Sequence, residues 1–233
     1  MYKEIIEAIK DADKVLIGIG LEMKLNEIDV KMPLEQVKKC LMSISGKEYK
    51  ILEELVRDKD YFIISSNVDG GLVFSDFKED RWVTPMGNPF KFQCADLACD
   101  GLRDFSKEKE LFWKEDKILC PKCNNEMKIN IREKENPEQY NEAGYLSQWE
   151  KYQKWLSCTL NRKLVILELG EGFEFPSLFR WPFEKLAFFH QKSKLIRVNQ
   201  KLWQLGEEIK DRAVSVPVNS KDFLIECEKH CEN

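Results

Sequence analysis

The sequence predicts an α/β protein, a doubly wound parallel sheet with one small module inserted into it. Three observations lead there. Five short runs rich in branched apolar residues read as strands: "KVLIGIG" (14–20), "DYFIISS" (60–66), "KLVILELG" (163–170), "KLIRVN" (194–199) and "AVSVPV" (213–218). Strands covered on both faces show such continuous apolar runs rather than alternation. Helical patterns lie between them, and strand–helix alternation marks this architecture. The stretch 84–135 breaks the alternation and carries four spaced cysteines.

Each element has a local reason. Tyr2 to Ala12 sets Ile5, Ile6 and Ile9 on one helical face. After the first strand, residues 21–46 are longer than a tight strand–helix turn needs, and Pro33 can open a helix over "LEQVKKCLMSI". "KEYKILEELVRD" (47–58) repeats apolar residues at three- and four-residue spacing. "YLSQWEKYQKWLSCTL" (145–160) stacks Trp149, Tyr152, Trp155 and Leu156 in the same way. Asn219 or Ser220 can cap a C-terminal helix. The expected division is a Rossmann-like domain from 1–83 and 136–233, with the module at 84–135.

Composition narrows the function classes. A chain of 233 residues suits one α/β domain with a small insert. Its 43% hydrophobic and 33% charged content describes a soluble globular protein. A net charge of −4 gives no argument for nucleic acid or a membrane surface as partner. The N-terminal stretch is amphipathic and carries acids, unlike a signal peptide. The apolar run near "LVILEL" is far too short to span a bilayer. The eight cysteines are therefore read as thiols of a cytoplasmic protein, without a disulfide framework.

Four of those cysteines form Cys94-x4-Cys99, then twenty residues, then Cys120-x2-Cys123. Two close pairs of thiolates complete a tetrahedral site, and an all-thiolate set leaves no open position. A structural zinc that holds the module is expected. Cys227 and Cys231 lie one helical turn apart beside His230, as metal ligands or on an ordinary amphipathic helix. Cys40 and Cys158 are expected in the core.

The strand ends carry the candidate chemistry. Gly18 and Gly20 end the first strand, where glycines let a backbone approach a phosphate or simply make a tight turn. Gly170 and Gly172 end the third, and ligands of open sheets bind outside the carboxyl ends of strands. Glu22 and Glu171 adjoin these turns and would repel a phosphate unless they face elsewhere. After the second strand, Asn67 and Asp69 stand two apart. They either both face the crevice or form a polar turn before a helix.

Taken together these segments resemble the sirtuin family over nearly the whole chain. "VLIGIG" is similar to its Gly-Ala-Gly loop, "SSNVD" to Thr-Gln-Asn-Ile-Asp, and "PMGN" to the His-Gly-Ser segment before the zinc module. "ELGEGF" is similar to the Gly-Thr-Ser strand end and "IRVN" to the Ile-Asn motif. "MKINIR" and "LVILELGEGFEFPSLFRWPFEKL" are closer to the macrodomain-linked, class M, sirtuins. The resemblance implies NAD bound between a Rossmann-like domain and a zinc module. Gly18, Ile19 and Gly20 would cradle the pyrophosphate, with Glu22 in place of a serine. Asn67 would serve the reacting ribose and Asp69 the nicotinamide carboxamide. Gly170, Glu171 and Gly172 would meet phosphate and ribose, Asn199 the adenine-side ribose, and Arg132 matches a class M arginine.

One departure decides between functions. The family's catalytic histidine is Met86 here, and a thioether takes no proton in this range. Among the two histidines, His190 is the weak substitute. The reading that follows is NAD-dependent ADP-ribosyl transfer to a protein, with Asn67, Asp69 and Arg132 as the catalytic set. A non-catalytic module binding NAD, ADP-ribose or a protein partner is the alternative, and lysine deacylation a weaker one.

Overall fold

The structure is a computed structural model, and it describes residues 1–231. In chain order the elements are α1 (Tyr2–Asp11), β1 (Lys14–Ile19), α2 (Leu34–Met42), α3 (Lys47–Val56), β2 (Asp60–Ser65), α4 (Gly71–Phe74), β3 (Trp82–Val83), β4 (Gly87–Cys94), β5 (Leu102–Asp104), α5 (Lys109–Lys114), β6 (Met127–Ile131), α6 (Ala143–Ser157), β7 (Leu164–Leu169), α7 (Arg180–Phe189), β8 (Ser193–Val198), β9 (Ala213–Val216) and α8 (Ser220–Cys231). The main sheet runs β3-β2-β1-β7-β8-β9, and every pairing in it is parallel. All five expected strands are present, and β3 extends the edge beyond β2. Strand order reverses between β1 and β7, which makes their carboxyl ends the switch point where open sheets bind ligands.

Two apolar layers cover the sheet. On one face Ile5, Ile9, Tyr49, Leu52, Phe223 and Leu224 pack against Val15, Ile17, Ile63 and Ile196. On the other, Tyr152, Trp155, Phe179 and Phe183 pack against Leu16, Phe62 and Ile166. Asn219 caps α8, its Oδ1 accepting Lys221 N–H at 3.0 Å. Pro33 stands just ahead of α2 as its N-cap residue rather than within it.

The inserted segment folds as a three-stranded antiparallel sheet, β5-β4-β6. Its core is aromatic: Phe90, Phe92, Phe105 and Phe112 are buried with ring centroids 4.9–6.1 Å apart. The register of β4 against β6 slips between Asn88 and Phe92. Pro89 cannot donate to the ladder, and Asn88 Oδ1 instead accepts Phe90 N–H at 2.9 Å. On the other side of the bulge, Met86 C=O accepts Arg132 N–H at 2.9 Å, so the two chain segments leaving this sheet are tied together.

Cys40 is half-buried and packs against the core, whereas Cys158 is exposed, contrary to its expected place there. Cys158 follows α6 as its C-cap, beyond the last turn that packs on the sheet. Cys227 is buried on α8 and Cys231 exposed, while His230 stacks on Tyr2 at 5.5 Å. They form no metal-capable group among the described residues.

The apolar runs conceal one buried ionic network. Glu168 on β7 and Arg197 on β8 are register neighbours, and both side chains are fully buried. Arg197 Nε and Nη2 donate to the two Glu168 oxygens at 2.7 and 2.9 Å. Arg197 Nη1 reaches Glu184 Oε1, and Arg180 Nη1 reaches Glu168 Oε1 at 3.1 Å. Removing one member of a buried ion set leaves the others uncompensated, at about 3–5 kcal/mol. Glu168→Ala is expected to destabilise the fold by about that amount in chemical denaturation. A loss below about 1 kcal/mol would contradict this role.

Candidate active site

The carboxyl ends of β1 and β7 touch directly. A Cβ on Gly20 would lie 2.4 Å from Glu171 N and Cα, so only glycine fits there. Gly170 adopts φ +71°, and Glu22 packs against it. Gly18 faces α7, where Phe179 and Phe183 crowd it. Ile19 is buried in β1, and Gly172 has Leu202 at ordinary contact distance. Helix packing thus accounts for Gly18, a third reason beside the phosphate approach and the tight turn that its motif left open.

The two carboxylates near these turns are bound within the protein. Glu22 Oε1 accepts Gln200 N–H at 2.8 Å, and Oε2 accepts Ser220 N–H and Oγ–H at 3.0 and 2.9 Å. It sits at the amino end of α8, where negative charge is favourable. Glu171 Oε2 accepts the Ser66 hydroxyl at 2.8 Å, and Oε1 accepts Gly172 N–H at 3.2 Å. Burial pushes the Glu171 carboxyl up to about 7, partly opposed by these hydrogen bonds. Asn199 Nδ2 donates to Glu171 C=O at 2.8 Å, and its Oδ1 accepts Lys201 and Leu202 N–H.

A cavity of about 340 Å³ opens between the strand ends and the inserted sheet. Ser66, Asn67 and Val68 form one wall, and Met86, Ile131 and Arg132 another. Glu22 and Glu171 are not among the lining residues. Asn67 Nδ2 donates to Gly20 C=O at 2.9 Å, while its buried Oδ1 has no partner. Such an orphaned acceptor is costly to bury and marks a position where a bound donor would be welcome. The Lys134–Glu174 ion pair joins two of the lining residues.

Asp69 takes the second of its two expected places, in a polar turn before a helix, and does not share the crevice with Asn67. The chain turns at Gly70 (φ +79°), and Asp69 Oδ1 accepts Gly71 N–H at 2.8 Å. Its Oδ2 accepts Leu25 N–H at 2.9 Å, which fixes the start of the open segment after β1. Burial raises the Asp69 carboxyl above its ordinary range. Asp69 lies outside the lining of the 340 Å³ cavity. His190 is also remote from it, its Nε2 2.9 Å from Thr159 C=O.

A second space of about 580 Å³ is lined by Pro85, Tyr145, Trp149, Tyr152, Leu178 and Pro182. Met86, Arg132, Glu133, Lys134 and Phe175 line both spaces, so the two adjoin across the Met86 side chain. Arg132 is half-buried, with Nη1 3.2 Å from Glu142 Oε1 and its guanidinium over the Tyr140 ring. Sequence reasoning missed Ser66, Tyr145 and Trp149 as parts of these walls. Ser66 was visible only as a small polar residue at a strand end.

The Sγ atoms of Cys94, Cys99, Cys120 and Cys123 lie within 4.8 Å of one another and can hold a metal ion. A Cβ on Gly101 would lie 2.2 Å from Cys120 Sγ, so the loop is shaped around the thiol cluster.

No family model matches the chain. It is 32% identical over 168 residues to a protein of Fusarium oxysporum f. sp. cubense named a probable bifunctional ADP-ribose hydrolase/ADP-ribosyltransferase, covering 64% of this chain and 28% of that protein. It is 24% identical over 178 residues to a protein ADP-ribosyltransferase of Staphylococcus aureus, covering 72% of this chain and 56% of that one. The chain thus spans only about a quarter to a half of these relatives. Among solved structures, Sir2 with a p53 peptide and NAD+ superposes with a TM-score of 0.61 at 13% identity, over 100% of this chain and 99% of that one. Sir2Tm bound to a propionylated peptide gives 0.59 at 13% identity, over 99% and 98%. The chain therefore has the sirtuin fold.

Proposed function

We propose that this protein transfers ADP-ribose from NAD to a protein acceptor. The observation that carries the proposal is the wall around Met86 and Arg132, which the cavity at the strand ends shares with an aromatic-walled one. A donor in the first and an acceptor side chain in the second would face each other there. Two relatives bear the name ADP-ribosyltransferase, which supports the same reading. NAD supplies a glycosidic bond from which nicotinamide can leave.

The residues present fit the reacting end of such a donor. The unpartnered Asn67 Oδ1 can accept from a ribose hydroxyl. Arg132 brings positive charge to the wall both spaces share, and Lys134 adds a second cation paired with Glu174. Asp69 orders the wall by holding Leu25 and Gly71. Gly20 stands at the switch point between β1 and β7, where open sheets bind ligands. Glu22 and Glu171 turn their oxygens to internal donors and do not line the cavity. Met86 takes no proton, which favours transfer over deacylation.

Incubation with labelled NAD and candidate acceptor proteins tests this. Label on protein with nicotinamide release is expected, and Asn67→Ala should lower release by about 10²-fold, as loss of one preorganised polar contact does. Calorimetric binding of NAD without release would point instead to a binding module, and brisk turnover of an acyl-peptide to deacylation.

The four-cysteine site would hold zinc, because an all-thiolate tetrahedral set suits that ion and leaves no position for substrate. One zinc per chain is expected by atomic absorption. Its removal by a chelator, or Cys120→Ser, should lower Tm by several degrees. An unchanged Tm after complete metal removal would exclude a structural role.

A further inference from the structure

The proposed reaction leaves a proton to be removed from the acceptor, and Met86 cannot take it. We propose that Ser66 and Glu171 form a proton relay into the 340 Å³ cavity, Ser66 meeting an acceptor nucleophile that enters this cavity past Met86 and Glu171 receiving the proton through it. This rests on the transferase reading above.

The geometry starts at Gly20. Glu171 follows β7, Ser66 follows β2, and β1 lies between them. Glu171 reaches Ser66 across the end of β1 because Gly20 has no side chain, the Glu171 backbone filling the space a Cβ would take. Ser66 Oγ is then 2.8 Å from Glu171 Oε2, and Ser66 also lines the 340 Å³ cavity beside Asn67. A buried carboxyl is thereby placed one hydrogen bond from the cavity without lining it.

The carboxylates of the other buried acids, Glu168 and Asp69, bond no residue that lines the cavity. Glu168 is held by Arg197 and Arg180, and Asp69 by two backbone N–H groups. Glu171 has a hydroxyl and the backbone N–H groups of Gly172 and Phe175. The charged groups facing it are few. Glu168 raises its carboxyl further, and Arg180, whose guanidinium donates to the Glu171 carbonyl at 3.0 Å, is itself paired with Glu168. Glu22, across the Gly170 contact, is bound to Gln200 and Ser220. Burial dominates, and a carboxyl titrating at about 7 is matched to proton transfer near neutral pH.

In the step, the acceptor's nucleophile forms a bond to the anomeric carbon of the ribose. The bond to nicotinamide breaks, and nicotinamide leaves with its electron pair. Ser66 Oγ accepts the nucleophile's proton as its own passes to Glu171 Oε2. Glu171 must be ionised, so the rate should rise with pH through about 7 and level off above it. Glu171 acts through Ser66 and is a positioning residue in this scheme.

Two measurements test the relay. In the free protein, the carboxyl carbon of Glu171, read by 13C NMR, should titrate near 7. The signal should vanish in Glu171→Gln and move to higher pH in Ser66→Ala, which loses a hydrogen bond to the ionised form. A carboxyl carbon that titrates in the ordinary glutamate range would overturn the relay. In the labelled-NAD assay, Glu171→Gln and Ser66→Ala should each lower transfer by about 10²-fold and flatten the pH profile. The double variant should be no worse than either single one, as for residues acting as a unit. Glu171→Asp should keep a rising limb. No nicotinamide release by the unmodified protein would sink the transferase reading and the relay with it. Release by that protein, with Glu171→Gln retaining both rate and pH limb, would sink the relay alone.

Discussion

The buried pairing of Glu168 with Arg197 is the constraint on which the strand ends depend. Two full charges with no exposed surface are tolerated only when each is met by donors or acceptors in good geometry. Arg197 satisfies both Glu168 oxygens, and its remaining nitrogen reaches Glu184 and the Gln204 carbonyl. Arg180 adds a second guanidinium and extends the network to the carbonyls of Glu171 and Leu202. The chain after β7 and the chain after β8 are therefore held to one ionic centre. The turn that carries Glu171 owes its position to a charge cluster inside the sheet, not only to apolar packing.

From that turn the arrangement crosses the switch point. Gly20 admits the Glu171 backbone, Glu171 reaches Ser66, and Asn67 reaches back to the Gly20 carbonyl. Three strand ends are joined by these contacts. Against them stands the inserted sheet, whose bulge at Asn88 and Pro89 and whose Met86–Arg132 hydrogen bond set the opposite wall. The cavity is the gap between two bodies that are each internally fixed. Met86 supplies an apolar, proton-inert surface where the two spaces adjoin.

Much of this was legible in the sequence, for identifiable reasons. The five strands declared themselves because a sheet covered on both faces needs long branched apolar runs. The cysteine cluster was legible because two close pairs are the spacing that a four-thiolate metal site needs. The strand Trp82–Val83 was not, since two residues show no period. Glu168 and Arg197 looked like interruptions of "LVILEL" and "KLIRVN". Only the register that sets them side by side makes them a pair. Glu22 looked like an obstacle to phosphate because its partner, Ser220, lies 198 residues away. For Asp69 the sequence left open a place beside Asn67 or a polar turn before a helix, and the positive φ of Gly70 decides for the turn.

The central claim is that the gap between Ser66–Asn67 and Met86–Arg132 receives the reacting ribose of the nucleotide. A crystal structure with ADP-ribose bound tests it most directly. A ribose is expected beside Asn67 Oδ1 and Met86, with Glu22 still on Ser220 and Glu171 still on Ser66. Density for the nucleotide on another surface, with this cavity filled only by solvent, would contradict it.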